Sequence, residues 1–413
     1  MESSNGAWST SEWIPDMKIF FSAGEPSGDQ HTARLIRELQ SRQPEFVAEG
    51  FGGPHMRDAG CHLLFELTEL AVMGFLRVVP LLAKFRGLVK QAELYFDRNP
   101  PDAVVLVDFP GFNWWIARAA KKRSIPVYYY LPPQLWGWAG WRIKRVRKWV
   151  DHVLCALPFE HDWYRVRGVK ATWVGHPFFD QVAERTLDAQ VMQQINAGGR
   201  SPVVALLPGS RNHEIEKNWP VMMGVVRRVS AAVPSARWIV GCYRSQHLAR
   251  CKALQLEAGL TTSLEYFVSR TPEVIEAADC CLMVSGSISL ELLARRKPGV
   301  VLYRVSRSSR LVSYFLMTCR YITLTNLIAD QEVMPEFISL GNPETDIRRM
   351  TAVLTEWLSD PQALAARRDM LERLVGHATT TGATRRTADI LMKEVQECCQ
   401  ERDWSEPANI RAA

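Results

Sequence analysis

The sequence predicts an α/β protein built from two doubly wound, Rossmann-like halves, and three observations carry that expectation. From Met17 onward, short apolar runs alternate with segments of helical periodicity. Runs such as Ala103-Val104-Val105-Leu106-Val107 and Val203 to Leu207 have no polar alternation, as expected of strands buried on both faces of a parallel sheet. The same grammar restarts after a polar stretch, Glu184 to Arg200, and 413 residues are too many for one ordinary core. The expected organisation is a flexible tail over 1–16, a first domain over 17–183, a linker over 184–201 and a second domain over 202–375. C-terminal helices over 376–402 cross back to the first domain or to a partner subunit, and a tail follows over 403–413.

Composition narrows the class. Hydrophobic residues make up 47% and charged residues 23%, the balance of a folded globular chain. The net charge of +6, from 50 basic and 44 acidic residues, matters only where it is clustered. Nine cysteines form no CxxC pair and no zinc-like spacing with histidine, so reduced, buried thiols in a cytoplasmic protein are expected. Met1 to Asp16 is Ser-rich and lacks an apolar h-region, unlike a secretory signal. Leu70 to Ala83 is the most apolar region, but Arg77 interrupts it and it falls short of the roughly 20 apolar residues that a spanning helix needs. Next to Lys84, Arg86 and Lys90, its residues Met73, Phe75, Leu76 and Leu82 read either as an interfacial segment or as a core helix with a basic end.

Taken in order, Met17 to Phe21 is a strand that runs into Ser22-Ala23-Gly24-Glu25-Pro26-Ser27-Gly28-Asp29-Gln30-His31, and Ala33, Leu35, Ile36 and Leu39 continue as a helix. Such strand-to-helix turns are where α/β proteins place ligands. The glycines suggest phosphate; Glu25 and Asp29 would repel it and suit chemistry or hydroxyl binding. After the strand Phe46 to Phe51 and the helical region Leu70 to Phe96, the strand Ala103 to Val107 ends in Asp108. A carboxylate at that edge suits a ligand site, the alternative being an N-cap for a helix over Trp114 to Lys121, for which Asn113 is better placed. Beyond the strand Val127 to Leu131, Trp136, Trp138 and Trp141 lead into Arg142, Lys144, Arg145, Arg147 and Lys148. Indoles among cations suit an anionic membrane surface or a phosphorylated ligand. A solvated basic face with its tryptophans in the core is the alternative, and no nucleic-acid motif accompanies the patch. Strands Val153 to Ala156 and Thr172 to Val174 precede Gly175-His176-Pro177.

In the second half, the strand Val203 to Leu207 opens into Pro208-Gly209-Ser210-Arg211 ahead of a helix. One arginine at a small-residue turn makes a diphosphate cradle without a P-loop lysine. Strands at Trp238 to Val240, Leu264 to Phe267 and Cys281 to Val284 follow. The last enters Ser285-Gly286-Ser287 and a helix bearing Glu291, whose carboxylate can reach ribose hydroxyls. After the strand Val300 to Arg304, Asn326 lies in an apolar neighbourhood and needs a backbone partner or a ligand.

The ordered set AGEPSGD, GGPHM, ELAVMG, DFPGFN, LPPQLWGW, LPFE, VGHP, LLPGSR, SGSISLE, VVLYR, LTNLIA and VMPEF resembles the lipid-A-disaccharide synthase family over about Met17 to Asp389. The resemblance implies a GT-B fold, two Rossmann-like domains facing across a cleft. It implies inverting transfer from UDP-2,3-diacylglucosamine to the 6-hydroxyl of 2,3-diacylglucosamine 1-phosphate at the cytoplasmic face of the inner membrane. The sequence holds no DxD or other clustered-carboxylate signature, and a cationic side chain can serve the diphosphate, so no metal or cofactor is expected. By motif, Asp108 and Glu25 match the cleft carboxylates, Arg211 the diphosphate arginine and Asn326 a polar residue of the second domain. On this reading Gly209, Ser210, Arg211, Ser285, Gly286, Ser287, Glu291 and Asn326 hold the donor, and Ser27 and His176 line the acceptor side. Met73, Phe75, Leu76, Leu82, Trp138, Arg142 and Arg145 meet the anionic inner-membrane surface, and a homodimer is open. Gly111 replaces an Asp of some members and Ser339 a Gln. Other GT-B UDP-N-acetylglucosamine transferases or 2-epimerases, and a non-catalytic lipid- or nucleotide-binding protein, are the alternatives.

Overall fold

The computed structural model describes residues 17–72, 78–199, 201–305 and 319–405. Two parallel sheets organise them. The first holds β1 (Lys18–Ala23), β2 (Val47–Gly52), β3 (His62–Glu66), β4 (Ala103–Val107), β5 (Val127–Tyr130), β6 (His152–Cys155) and β7 (Ala171–Trp173), in the order β3-β2-β1-β4-β5-β6-β7. The second holds β8 (Val203–Leu207), β9 (Arg237–Cys242), β10 (Glu265–Val268), β11 (Cys280–Val284), β12 (Gly299–Val305) and β13 (Glu336–Leu340), in the order β10-β9-β8-β11-β12-β13. Strand order therefore reverses between β1 and β4 and again between β8 and β11, the crevice positions where doubly wound sheets bind ligands.

Helices α1 (Pro26–Arg42), α2 (Pro54–Asp58), α3 (Thr68–Val72), α4 (Val78–Arg98), α5 (Pro110–Lys121), α6 (Ile143–Trp149), α7 (Pro158–Arg165) and α8 (Pro177–Glu184) accompany the first sheet. Then come α9 (Ala189–Asn196), α10 (Asn212–Ala232), α11 (Ser245–Glu257), α12 (Thr271–Ala277), α13 (Ile288–Ala294), α14 (Leu324–Ala329), α15 (Glu344–Ser359), α16 (Pro361–Ala378) and α17 (Ala383–Ser405). Burial on both faces explains the unbroken apolar strands. Along β4, Val104 and Leu106 join one core cluster while Val105 and Val107 join the opposite one. Along β8, Val204 and Leu206 separate from Ala205 and Leu207 in the same way.

Four expectations change. Edge strands β3 and β13 escape a reading of the sequence, because His62–Glu66 offers only three apolar residues in a row and Ser339 interrupts those of Glu336–Leu340. Part of the expected linker is a helix: Asp188 caps α9 through the N–H groups of Gln190 and Val191, and Ile195 enters the second core. Helix α5 starts at Pro110, so Asn113 lies inside its first turn and does not cap it. Phe179 of α8 joins the second core, so side chains of the first half already belong to it. Residues 1–16 and the expected membrane residues Met73, Phe75 and Leu76 lie outside the described residues.

The last helix returns to the first sheet. Ala388, Leu391 and Val395 of α17 pack with Leu35, Ile36 and Leu39 of α1, and Arg42 pairs with Asp389. Asp180 of α8 caps α17, accepting the N–H groups of Gly382 (2.6 Å), Ala383 (3.3 Å) and Thr384 (3.1 Å).

Beside this junction, the rings of His31 on α1 and His176 ahead of α8 meet edge to face, 5.8 Å apart. Nδ1 of His176 accepts the N–H of Phe178, which requires it unprotonated. Burial lowers His31 to about 3, with the neighbouring His176 adding to the effect, and burial lowers His176 to about 4. Both depressed values mean that the unfolded chain binds more protons below the ordinary value of 6.5. Stability is therefore fully present above pH 6.5 and declines as pH falls toward 4. Replacing both histidines by glutamine should flatten this decline in thermal midpoints measured across that range; an unchanged slope would exclude them as its source.

Candidate functional site

The first switch point is built by two strand-to-helix turns locked together. Asp108 and Phe109, between β4 and α5, have φ of +44° and +42°, a region that bulky residues occupy only under constraint. Asn113 supplies that constraint. The two N–H groups of its Nδ2 are shared among the carbonyls of Ser22 (3.1 Å), Val107 (3.1 Å) and Asp108 (2.9 Å), while Oδ1 accepts the Ser22 hydroxyl at 2.6 Å. The Tyr129 hydroxyl donates to the Asp108 carbonyl at 2.6 Å.

This turn places the Asp108 carboxylate over the start of α1. Oδ1 accepts the N–H groups of Gly24 and Glu25, each at 3.3 Å. Oδ2 lies above Gly28, where a Cβ would come within 1.9 Å of it, and a Cβ on Gly24 would strike the Phe109 ring at 2.3 Å. The two glycines that suggested a phosphate loop thus make room for Asp108 and Phe109. Burial and the Glu25 carboxylate raise the Asp108 carboxyl well above the ordinary carboxylate range, against the two N–H groups. Raised basicity beside a second carboxylate suits proton abstraction. Glu25 is half-buried and Ser27 exposed on the same turn. Asp29 is structural: it accepts the N–H groups of Gly53, His55 and Met56 at the start of α2.

In the second sheet, the two turns differ. At Pro208–Arg211 the expected N–H cradle is occupied, because Glu214 Oε2 accepts from Ser210 (3.1 Å) and Arg211 (3.3 Å) and Oε1 pairs with the Arg211 guanidinium at 3.0 Å. The turn after β11 is open: Gly286 and Ser287 are exposed, and a Cβ on Gly286 would meet nothing within 4 Å. Glu291 is buried behind it, with one oxygen taking Arg295 Nε at 3.2 Å. Burial raises its pKa, and Arg295 opposes the rise.

Of the two partners expected for Asn326, a backbone group or a ligand, the structure shows the backbone. Nδ2 donates to the Met334 carbonyl (2.7 Å) and Glu336 (2.8 Å), and Oδ1 accepts from Val333 and Met334. That exhausts its capacity. The loop it ties bears on the open turn through Thr325, whose hydroxyl donates to the Ser289 carbonyl, and Ile322, whose carbonyl accepts Ser285 Oγ. Ser339 is likewise fully buried. Sequence reasoning missed Asn113 as the lock, Gly28 as the seat of Asp108, and Glu214; the spacing S-R-x-x-E at a helix start was the available signal for the last.

The tryptophans divide between core and surface. Trp136 donates to the buried Glu160 at 3.1 Å, and burial pushes that carboxyl up to about 7. Trp138 and Trp141 are 43% and 64% exposed, with the Arg142 guanidinium 4.7 and 5.3 Å from their ring centres and Arg145 5.9 Å from Trp141. Leu82 on α4 is also exposed. No helix among the described residues is long and apolar enough to cross a membrane.

Known proteins agree with this architecture. A structure of a putative UDP-N-acetylglucosamine 2-epimerase from Listeria monocytogenes superposes with a TM-score of 0.66 at 9% identity, over 92% of this chain and 97% of its own. A UDP-GlcNAc 2-epimerase from Neisseria meningitidis bound to UDP-GlcNAc gives 0.61 at 12%, over 91% and 99%. At such identities the likeness is one of fold, the GT-B pairing of two α/β domains. In sequence, a lipid-A-disaccharide synthase of Myxococcus xanthus is 33% identical over 91% of this chain and 97% of its own, and one of Legionella pneumophila strain Philadelphia 1 is 29% identical over 92% and 98%. The family model for lipid-A-disaccharide synthetase matches residues 19–392, and the chain belongs to that family.

Proposed function

We propose that this protein is a glycosyltransferase that joins two acylated glucosamines, using Asp108 as the base. UDP-2,3-diacylglucosamine is the donor and 2,3-diacylglucosamine 1-phosphate the acceptor. Family membership supports the substrates, and the raised, paired carboxylate at the first switch point carries the mechanism. Asp108 takes the proton of the acceptor 6-hydroxyl as its oxygen attacks the anomeric carbon from the face opposite UDP. The bond from that carbon to the diphosphate oxygen breaks, UDP leaves, and the configuration inverts through an oxocarbenium-like state. Arg211 and the N–H groups at Gly209, Ser210, Gly286 and Ser287 stabilise the charge on the leaving diphosphate, so no metal is needed for that task. Glu291 holds the ribose, Glu25 orients Asp108 or the acceptor, and Ser27 and His176 line the acceptor side.

Incubation of the protein with both substrates, followed by mass spectrometry, should yield a disaccharide phosphate and UDP. Epimerised UDP-sugar, or binding without turnover, would overturn the reading.

Replacing Asp108 by Asn should lower kcat about 10²-fold or more, and Gly28→Ala should cost a similar factor of about 10² by displacing that carboxylate, both with UDP affinity unchanged. Because the base acts ionised, the acid limb of the wild-type rate profile should lie above the ordinary carboxylate range and rise with pH. Near wild-type turnover in D108N would remove Asp108 from the role.

The exposed Trp138–Arg142 surface, with Arg145 and Leu82, meets the anionic cytoplasmic face of the inner membrane. Trp138→Ala combined with Arg142→Glu should reduce sedimentation with anionic vesicles at low salt. Equal recovery of variant and wild type would place membrane contact elsewhere.

A further inference from the structure

The turn between β8 and α10 already holds an anion, and that anion belongs to the chain. Glu214 occupies the N–H groups of Ser210 and Arg211 and the Arg211 guanidinium at 3.0–3.3 Å. Gly209, at φ +104°, leaves the carboxylate its space, since a Cβ there would come within 2.7 Å of Oε2. These are donors that the proposed reaction assigns to the diphosphate. The N–H groups of Ser210 and Arg211 cannot serve a carboxylate and a diphosphate together, because the two anions repel at contact distance.

A second observation concerns the helix that packs beside this turn. His247, on α11 packed against α10, is 1% exposed, and its Nδ1 has no hydrogen-bond partner among the described residues. A buried imidazole nitrogen left unpaired carries its desolvation cost without return. Glu214 is among the charges that act on this ring, and Tyr243 stacks along it with ring centres 6.4 Å apart.

We propose that Glu214 is an exchangeable placeholder, which fills the phosphate turn in the donor-free protein and passes to the Nδ1–H of His247 when the donor diphosphate takes the turn. The proposal rests on reading Pro208–Arg211 as the diphosphate turn. Its consequence is selectivity: a free phosphate must displace a tethered carboxylate with no nucleoside contacts to help, so the N–H groups of Ser210 and Arg211 stay closed to ordinary cellular anions.

Calorimetric titration of the full chain with UDP and with uridine tests this in the wild type, Glu214→Gln, His247→Phe and the double variant. Glu216→Gln controls for charge alone, since Glu216 lies on the same helix and pairs with Arg250. Glu214→Gln should tighten UDP about tenfold, the factor by which a turn closed nine-tenths of the time lowers apparent affinity. Uridine affinity should not change, and Glu216→Gln should give a much smaller effect. His247→Phe should weaken UDP binding when Glu214 is present and have no effect once Glu214→Gln has removed the carboxylate. Unchanged or weaker UDP binding in Glu214→Gln, an equal gain for uridine, or additive effects in the double variant would each overturn the placeholder role. A wild type that binds no UDP would instead refute the donor reading beneath it.

Discussion

The first domain depends on one side chain, Asn113, which ties β1 to the β4–α5 turn with four hydrogen bonds. Without it, two consecutive residues with positive φ would relax toward the ordinary extended or helical regions. The Asp108 carboxylate would then leave the start of α1, and Phe109 would lose its seat against Gly24. Strain at a functional turn persists only when its surroundings over-determine it. Here the over-determination consists of buried hydrogen bonds from two neighbouring strands and from the hydroxyl of a third, Tyr129.

The same physical device recurs across the molecule with different outcomes. A carboxylate sits on the free N–H groups that open a helix at α1 (Asp108), α2 (Asp29), α10 (Glu214) and α17 (Asp180). Each satisfies orphan donors and complements the helix dipole. At α2 and α17 the carboxylate is fully buried and engaged, which makes it a fastening. At α1 and α10 it stands at a switch point, where the same electrostatics can serve a reacting hydroxyl or a phosphate.

Legibility in the sequence follows the range of the interaction. Strands buried on both faces announce themselves locally, so β4, β8 and β11 could be read directly, as could the carboxylate that ends β4. Edge strands β3 and β13 could not, because their apolar runs are short or interrupted by a polar residue and so carry a weak pattern. Asn113 looked like a cap because its partner Ser22 lies 91 positions away. Asn326 looked like a ligand contact because its acceptors and donors come from a loop that folds back upon it. The glycines of the opening turn were visible, but the side chains that require them arrive from another strand. The proposed substrates came from resemblance alone, since strand-to-helix turns do not encode acyl chains.

The return of α17 to the first sheet sets an order on biosynthesis. The face of α1 carrying Leu35, Ile36 and Leu39 is completed by Ala388, Leu391 and Val395, which the ribosome adds only after the entire second sheet. At about 5–20 residues per second, the nascent first domain waits roughly ten seconds or more for its last apolar layer. During that interval α1 clusters with Ile19, Phe21 and Val105 of the sheet but lacks the layer that α17 supplies, so the growing chain carries incompletely covered apolar surface until synthesis is nearly finished.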